Sequence, residues 1–203
     1  MLHSNLFINI NKALPIYIII LSALESIIFL DIRGFLFLLG GFFSEVLNAF
    51  LKYNIFKPLY HLFGTFKNNG YYLPLFGRGD RPNGARHCNW FDNCNECNNN
   101  TPLKSFGMPS GHSQFVMYCA TFLILYLYFT YVHKKSGDGI MTKASHIRTF
   151  FYPISIFIAT LSLLAVYTRI ILKCHTIQQV ILGSLIGIKC GILYFFTVKR
   201  YFI

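Results

Sequence analysis

A chain of 203 residues that is 54% hydrophobic, 18% aromatic and only 12% charged, with a mean hydropathy of +0.48, is too apolar for a soluble domain, which carries about a quarter charged residues. Its net charge of +11 would suit a nucleic-acid binder, but the basic residues are scattered between apolar runs, with no basic helix or aromatic-basic platform. What remains is an all-α membrane bundle, a single domain over residues 1–203.

Five segments come near the roughly 20 apolar residues that a bilayer-spanning helix needs. The first covers about 13–30 and contains Glu25; it lacks a small-residue cleavage site and a second apolar run follows at once, so it does not read as a signal peptide. Asp31 to Arg33 leaves room for only a tight turn, so a helical hairpin is expected with the second segment, about 34–56. On this second helix Glu45, Asn48 and Lys52 fall on one face, a polar stripe suited to the bundle interior.

The pattern then breaks. Residues 61–108 are rich in Gly, Pro and Asn and read as a long loop, a length that usually signals function or disorder. The third, fourth and fifth helices follow at about 111–132, 149–167 and 176–198, with a basic loop His133–Arg148 and a short polar link Thr168–Cys174 between them. Part of Asn54–Phe66 or of the N-terminal segment is a candidate for a further helix beyond these five. On the last helix Gly183, Gly187 and Gly191 recur every four residues, which favours close helix contact, and Lys189 either faces the interior or snorkels. Alternation puts Arg33, Lys134, Lys135, Lys143, Arg148, Lys199 and Arg200 on one side, which the positive-inside rule makes cytoplasmic. The long loop and the Thr168–Cys174 link then face the lumenal or extracytoplasmic side.

Three clusters on that face carry chemistry. Gly77-Arg78-Gly79-Asp80-Arg81-Pro82 lies in the long loop, with Lys52 and Lys57 upstream. Pro109-Ser110-Gly111-His112 opens the third helix; Ser110 caps it, the free N–H groups of Gly111 and His112 make an anion site, and His112 can donate a proton near neutral pH. Arg169 precedes His175 by six residues; the first offers a planar fork for phosphate oxygens and the second a nucleophile. Gln179, one turn beyond, can hold one ring nitrogen and leave the other free. The bland alternatives are a helix cap with an incidental histidine, and snorkelling basic side chains.

Together the clusters resemble the type 2 phosphatidic acid phosphatase superfamily, whose pattern is Lys, six residues, Arg-Pro; then Pro-Ser-Gly-His; then Ser-Arg, five residues, His. The resemblance spans about Glu45 to Gly187, with Thr168 in place of Ser in the third motif. It implies a phosphohistidine on His175, a general acid at His112, and a phosphate cradle of Arg81, Ser110, Gly111 and Arg169, with no metal and no cofactor. Family members commonly have Asp where this chain has Gln179, and His175-Thr176 with Gln179-Val180 resembles the dolichyl diphosphatase branch. No Lys precedes Arg81 at the family spacing, where Pro74 stands; Lys52 fits that lysine best, ahead of Arg78 and Lys57. The implied activity is hydrolysis of a lipid phosphate or pyrophosphate, of polyprenyl diphosphate or phosphatidic acid type. The alternatives are a lipid phosphotransferase and an inactive scaffold of the same fold.

Cys88, Cys94 and Cys97 leave three readings open: a disulfide among the three, a zinc site with His87, or small buried residues. Asn99-Asn100-Thr101 is a glycosylation sequon weakened by Pro102.

Overall fold

A computed structural model describes residues 2–29, 31–67, 70–82, 88, 106–133 and 141–202. Lys134, Lys135, His87, Cys94, Cys97 and the sequon at 99–101 lie outside the described residues. Among the described residues there are six α-helices: α1 (Leu2–Phe29), α2 (Ile32–Phe50), α3 (Lys57–Phe63), α4 (Gly111–Leu127), α5 (Met141–Ile171) and α6 (Ile177–Val198). Four helical stretches among the described residues are long and apolar enough to cross a membrane: Ile32–Phe63, Gly111–Val132, Phe150–Ile171 and Ile177–Tyr201. The first expected span forms the shorter apolar stretch Ala13–Phe29 within α1.

Asp31 begins α2 by accepting a hydrogen bond from the Arg33 N–H at 3.0 Å, which makes the tight hairpin turn. The helix does not stop at residue 56, because Pro58 falls in the first turn of α3, where a missing N–H is tolerated. It runs through a wide π-helical turn, Leu51–Phe56, straight into α3, so part of the expected loop is helix. The next residues also depart from the loop expectation. Three antiparallel strands, β1 (Thr65–Lys67), β2 (Gly70–Leu73) and β3 (Gly77–Arg78), form a small sheet in that order. Strands of three, four and two residues are too short for an alternating pattern to show in sequence.

The core of the bundle is the pair α4 and α6. A Cβ at Gly183 would meet the Ser110 carbonyl, at Gly187 the Gln114 carbonyl, and at Gly191 the Tyr118 carbonyl and Thr121. Each step of four on α6 meets a step of four on α4 in the same direction, so the two helices run parallel and both N-termini lie at one end of the bundle. The glycine spacing therefore does what its pattern predicts: it lets two backbones touch. Toward the other end Phe37, Phe115, Tyr118, Phe122, Phe195 and Phe202 fill the interior. Tyr118 and Tyr194 donate hydroxyl hydrogen bonds to the carbonyls of Phe37 (2.8 Å) and Leu36 (2.9 Å) on α2. Gly40 leaves the gap through which both rings approach. Lys189 is exposed on the outer surface of α6, away from the interior.

Candidate active site

The parallel pair brings two helix starts together. Ser110 caps α4, its Oγ accepting the Ser113 N–H at 3.4 Å and lying 3.0 Å from the Ser113 hydroxyl. Its own N–H donates to the Gln179 carbonyl at 3.1 Å, tying the start of α4 to the first turn of α6. Gly111 and the buried His112 follow on that first turn. A side chain at Gly111 would come within 3.1 Å of Asn48 Oδ1 and 3.4 Å of Glu45 Oε2, so the polar stripe of α2 does face inward and walls this helix start.

Gln114, which belongs to none of the three sequence clusters, secures that wall. Its Oε1 accepts from Asn48 Nδ2 at 2.8 Å, while its Nε2 donates to the Ser44 carbonyl and hydroxyl. A glutamine inside an apolar span is the signal that could have found it, because a buried amide needs partners.

Arg169 lies in the last turn of α5, not in the link: α5 continues to Ile171 because no breaker interrupts it before Lys173, whose φ of 55° ends the helix. Although charged, Arg169 is only 1% exposed. Its carbonyl accepts the N–H groups of both Cys174 (3.0 Å) and His175 (3.3 Å), which folds the link back so that His175 follows directly behind the arginine.

Thr176 caps α6 in a reciprocal box: its Oγ1 accepts the Gln179 N–H at 3.4 Å and Gln179 Oε1 accepts the Thr176 N–H at 3.1 Å. The same Oε1 lies 3.1 Å from His175 Nδ1. Gln179 Nε2 donates in the opposite direction, to the carbonyls of Arg78 (2.8 Å), Gly79 (3.2 Å) and Asp80 (3.0 Å). One fully buried amide thus joins the third cluster to the first. Those carbonyls can only accept, which fixes the amide orientation and makes His175 Nδ1 the donor to Oε1. The Nε2 lone pair of His175 is left free.

Asp80 orders the same segment by accepting the Tyr71 N–H at 3.1 Å, and the Gly107 N–H donates to the Gly79 carbonyl at 2.8 Å. Gly77 has a φ of 70° and lies against Gln178, where a side chain would be both strained and crowded. Burial first, then the charges of Arg81 and Lys52, push the His175 imidazolium down to about 3; the Gln179 hydrogen bond opposes them, and Arg169 adds to them. Lys52, Arg81, Arg169 and His175 therefore share one electrostatic neighbourhood, with Glu45 acting on Lys52. The Arg78 guanidinium lies over Gly70 beside the Asp80 carboxylate. Lys57 is exposed.

The cysteine expectation needs correction. Cys88 is bonded to Cys174, not to Cys94 or Cys97, with Cα atoms 5.3 Å apart across a sequence separation of 86. Both partners are buried, and the bond joins the segment after Arg81-Pro82 to the residue before His175. The zinc reading loses Cys88 to the disulfide, and its other residues, His87, Cys94 and Cys97, lie outside the described residues.

Residues 35–202 match the family model of the PAP2 superfamily. Over 100 residues the chain is 33% identical to a protein named dolichyldiphosphatase from Saccharomyces cerevisiae, and over 99 residues 31% identical to dolichyldiphosphatase 1 from Dictyostelium discoideum. Each alignment covers 49% of this chain and 37% or 38% of the relative, so the chain matches well under half the length of these proteins. No solved structure matches it.

Proposed function

Because the chain belongs to the PAP2 superfamily, we propose that it hydrolyses the terminal phosphate of a membrane lipid, with a polyprenyl diphosphate of the dolichyl type as the favoured substrate. The observation that carries this is the 3.1 Å contact between Gln179 Oε1 and His175 Nδ1: with the amide nitrogen engaged by backbone carbonyls, Nδ1 carries the hydrogen, and Nε2 becomes a neutral nucleophile in the electrostatic neighbourhood of Lys52, Arg81 and Arg169.

In this mechanism His175 Nε2 attacks phosphorus in line as the P–O bond to the leaving group breaks. His112 gives its proton to the leaving oxygen. Lys52, Arg81 and Arg169, with the Ser110 hydroxyl and the N–H groups at Gly111, hold the three phosphoryl oxygens and offset the charge that develops on them. Water then attacks the phosphohistidine, its proton passes to the now neutral His112, and phosphate leaves with the P–N bond cleaved. No step calls for a metal ion, because side-chain cations supply the positive charge. The Cys88–Cys174 bond beside His175 supports a site facing an oxidising compartment, hence the lumenal or extracytoplasmic side.

Phosphate release from purified protein in detergent with EDTA tests the proposal, on polyprenyl diphosphate and on phosphatidic acid. Expected is release that EDTA does not affect and that His175→Ala lowers by on the order of 10⁴. Near-normal turnover in folded His175→Ala would overturn it. A strict need for an acceptor lipid would make the protein a transferase.

A further inference from the structure

The helix Ile32–Phe63 has 32 residues and, at 1.5 Å per residue, is about 48 Å long, well beyond the ~30 Å of a hydrocarbon core. Contacts with α4 place Asn48 beside Gly111, at the level of the site, so α3 extends past the site on the same side of the bundle. A segment in water should shed apolar side chains, and this one does not. Leu62, Phe63, Phe66 and Leu75 are 76%, 69%, 67% and 81% exposed.

Strand pairing gathers them into one apolar ridge: Thr65 pairs with Tyr72, so the turn after β2 that carries Leu75 lies at the end of the sheet where α3 enters. Phe66 stacks edge-on to Tyr71, with ring centroids 5.4 Å apart. The exposed cations Lys57 and Lys67 flank it, and the apolar outer face of α2 (Val46, Phe50), continued by Tyr53 of the π-helical turn, leads up to it. Aromatic and aliphatic side chains edged by lysine are what the boundary between headgroups and acyl chains selects. The same unit walls the site, since β3 carries the Arg78 carbonyl that Gln179 holds.

We propose that α3 and the β1–β2–β3 sheet form an interfacial docking element, which seats the Leu62–Phe63–Phe66–Leu75 ridge in the phospholipid headgroup layer and aligns the site with lipid substrate in the bilayer plane. The occupant is the bilayer itself, by continuity with the lipid-facing surface of α2 and by the match of lysine to lipid phosphate. The kinetic part rests on the proposed phosphatase activity; the location does not.

Two measurements on the full chain test it. The first compares Phe66→Glu and Leu75→Glu with the parent, on polyprenyl diphosphate in phosphatidylcholine vesicles and on a water-soluble short-chain prenyl diphosphate. Expected is a rise in KM of about tenfold for the vesicle substrate, with kcat and the soluble reaction within twofold of the parent. The second places Leu75→Trp in a Trp90→Phe background, in vesicles of lipids brominated near the glycerol or at the chain end. Strong quenching by the shallow bromines only is the expected result. Unquenched fluorescence overturns the docking element whatever the kinetics. Equal vesicle and soluble kinetics in parent and variants overturn its role in substrate capture. A parent inactive on both substrates, with Leu75→Trp quenched, would sink the phosphatase proposal and leave the location standing.

Discussion

Gln179 Oε1 lies 3.1 Å from His175 Nδ1 while the amide nitrogen of the same side chain donates to three consecutive backbone carbonyls, those of Arg78, Gly79 and Asp80. A carboxylate could accept from the histidine but could not serve those carbonyls. In this chain the side chain that meets the histidine is also the anchor of the Gly77–Asp80 segment.

Gln179→Asp should therefore be worse than a simple exchange of acceptors. Three carbonyls would lose their donor and face a negative charge, at a cost of about 2–3 kcal/mol in stability. Turnover should fall by about 100-fold, with Gln179→Glu impaired as well. Thermal unfolding in detergent alongside phosphate release measures both; an unaltered melting temperature in Gln179→Asp would contradict the anchoring role.

The position of His175 also sets a pH dependence. Its folded value of about 3 lies below the ordinary 6.5, so between those values the unfolded chain binds the proton that the folded chain refuses. The contribution is absent above about 6.5, and folded stability is lost progressively as pH falls from 6.5 toward 3. Melting temperature followed from pH 7.5 to 4 should decline, and His175→Asn should make the decline shallower. Parallel curves would show that the histidine titrates elsewhere.

Lys52 and Arg78 are rivals in sequence and separable in space. Lys52 is among the charges that push the His175 imidazolium down, while the Arg78 guanidinium lies over Gly70 beside the Asp80 carboxylate. Lys52→Met should lower kcat/KM by at least about 100-fold, roughly the loss of one charge-assisted phosphate contact. Arg78→Met should stay within about tenfold, with its main effect on thermal stability. The reverse order would return the role to Arg78.

Gly187→Val tests the contact between α4 and α6. The new side chain would meet the Gln114 backbone, one turn from Ser110, and overpacking of this kind costs about 1–3 kcal/mol. A lower melting temperature with reduced turnover is expected. Ile186→Val, on the neighbouring half-buried position, provides the control and should change little.

What can be read from sequence divides by distance along the chain. Ser110 as a cap, Gln179 facing His175 and the glycine stripe are all relations within one or two helical turns, so spacing alone exposes them. The inward stripe of Glu45, Asn48 and Lys52 is legible for the same reason. Gln179 reaching back to Arg78, Gly79 and Asp80 crosses about 100 residues, and Cys88 meeting Cys174 crosses 86; no local pattern encodes either. The sheet is hidden because its strands are shorter than one period of evidence for them. Arg169 reads as a link residue because its polarity outweighs the absence of any helix breaker around it, and burial beside the site removes the reason to expect water there.

The glycine stripe has a mechanical side as well. Gly183, Gly187 and Gly191 lock α6 to the carbonyls of Ser110, Gln114 and Tyr118, so a slip of one residue would drive a side chain into backbone. Membranes differ in thickness, and a bundle accommodates the mismatch by tilting its helices. Two rods keyed together along three successive turns tilt as one, and the spacing of His112 from His175 is carried along unchanged. The geometry at the water boundary is thereby insulated from the thickness of the bilayer beneath it.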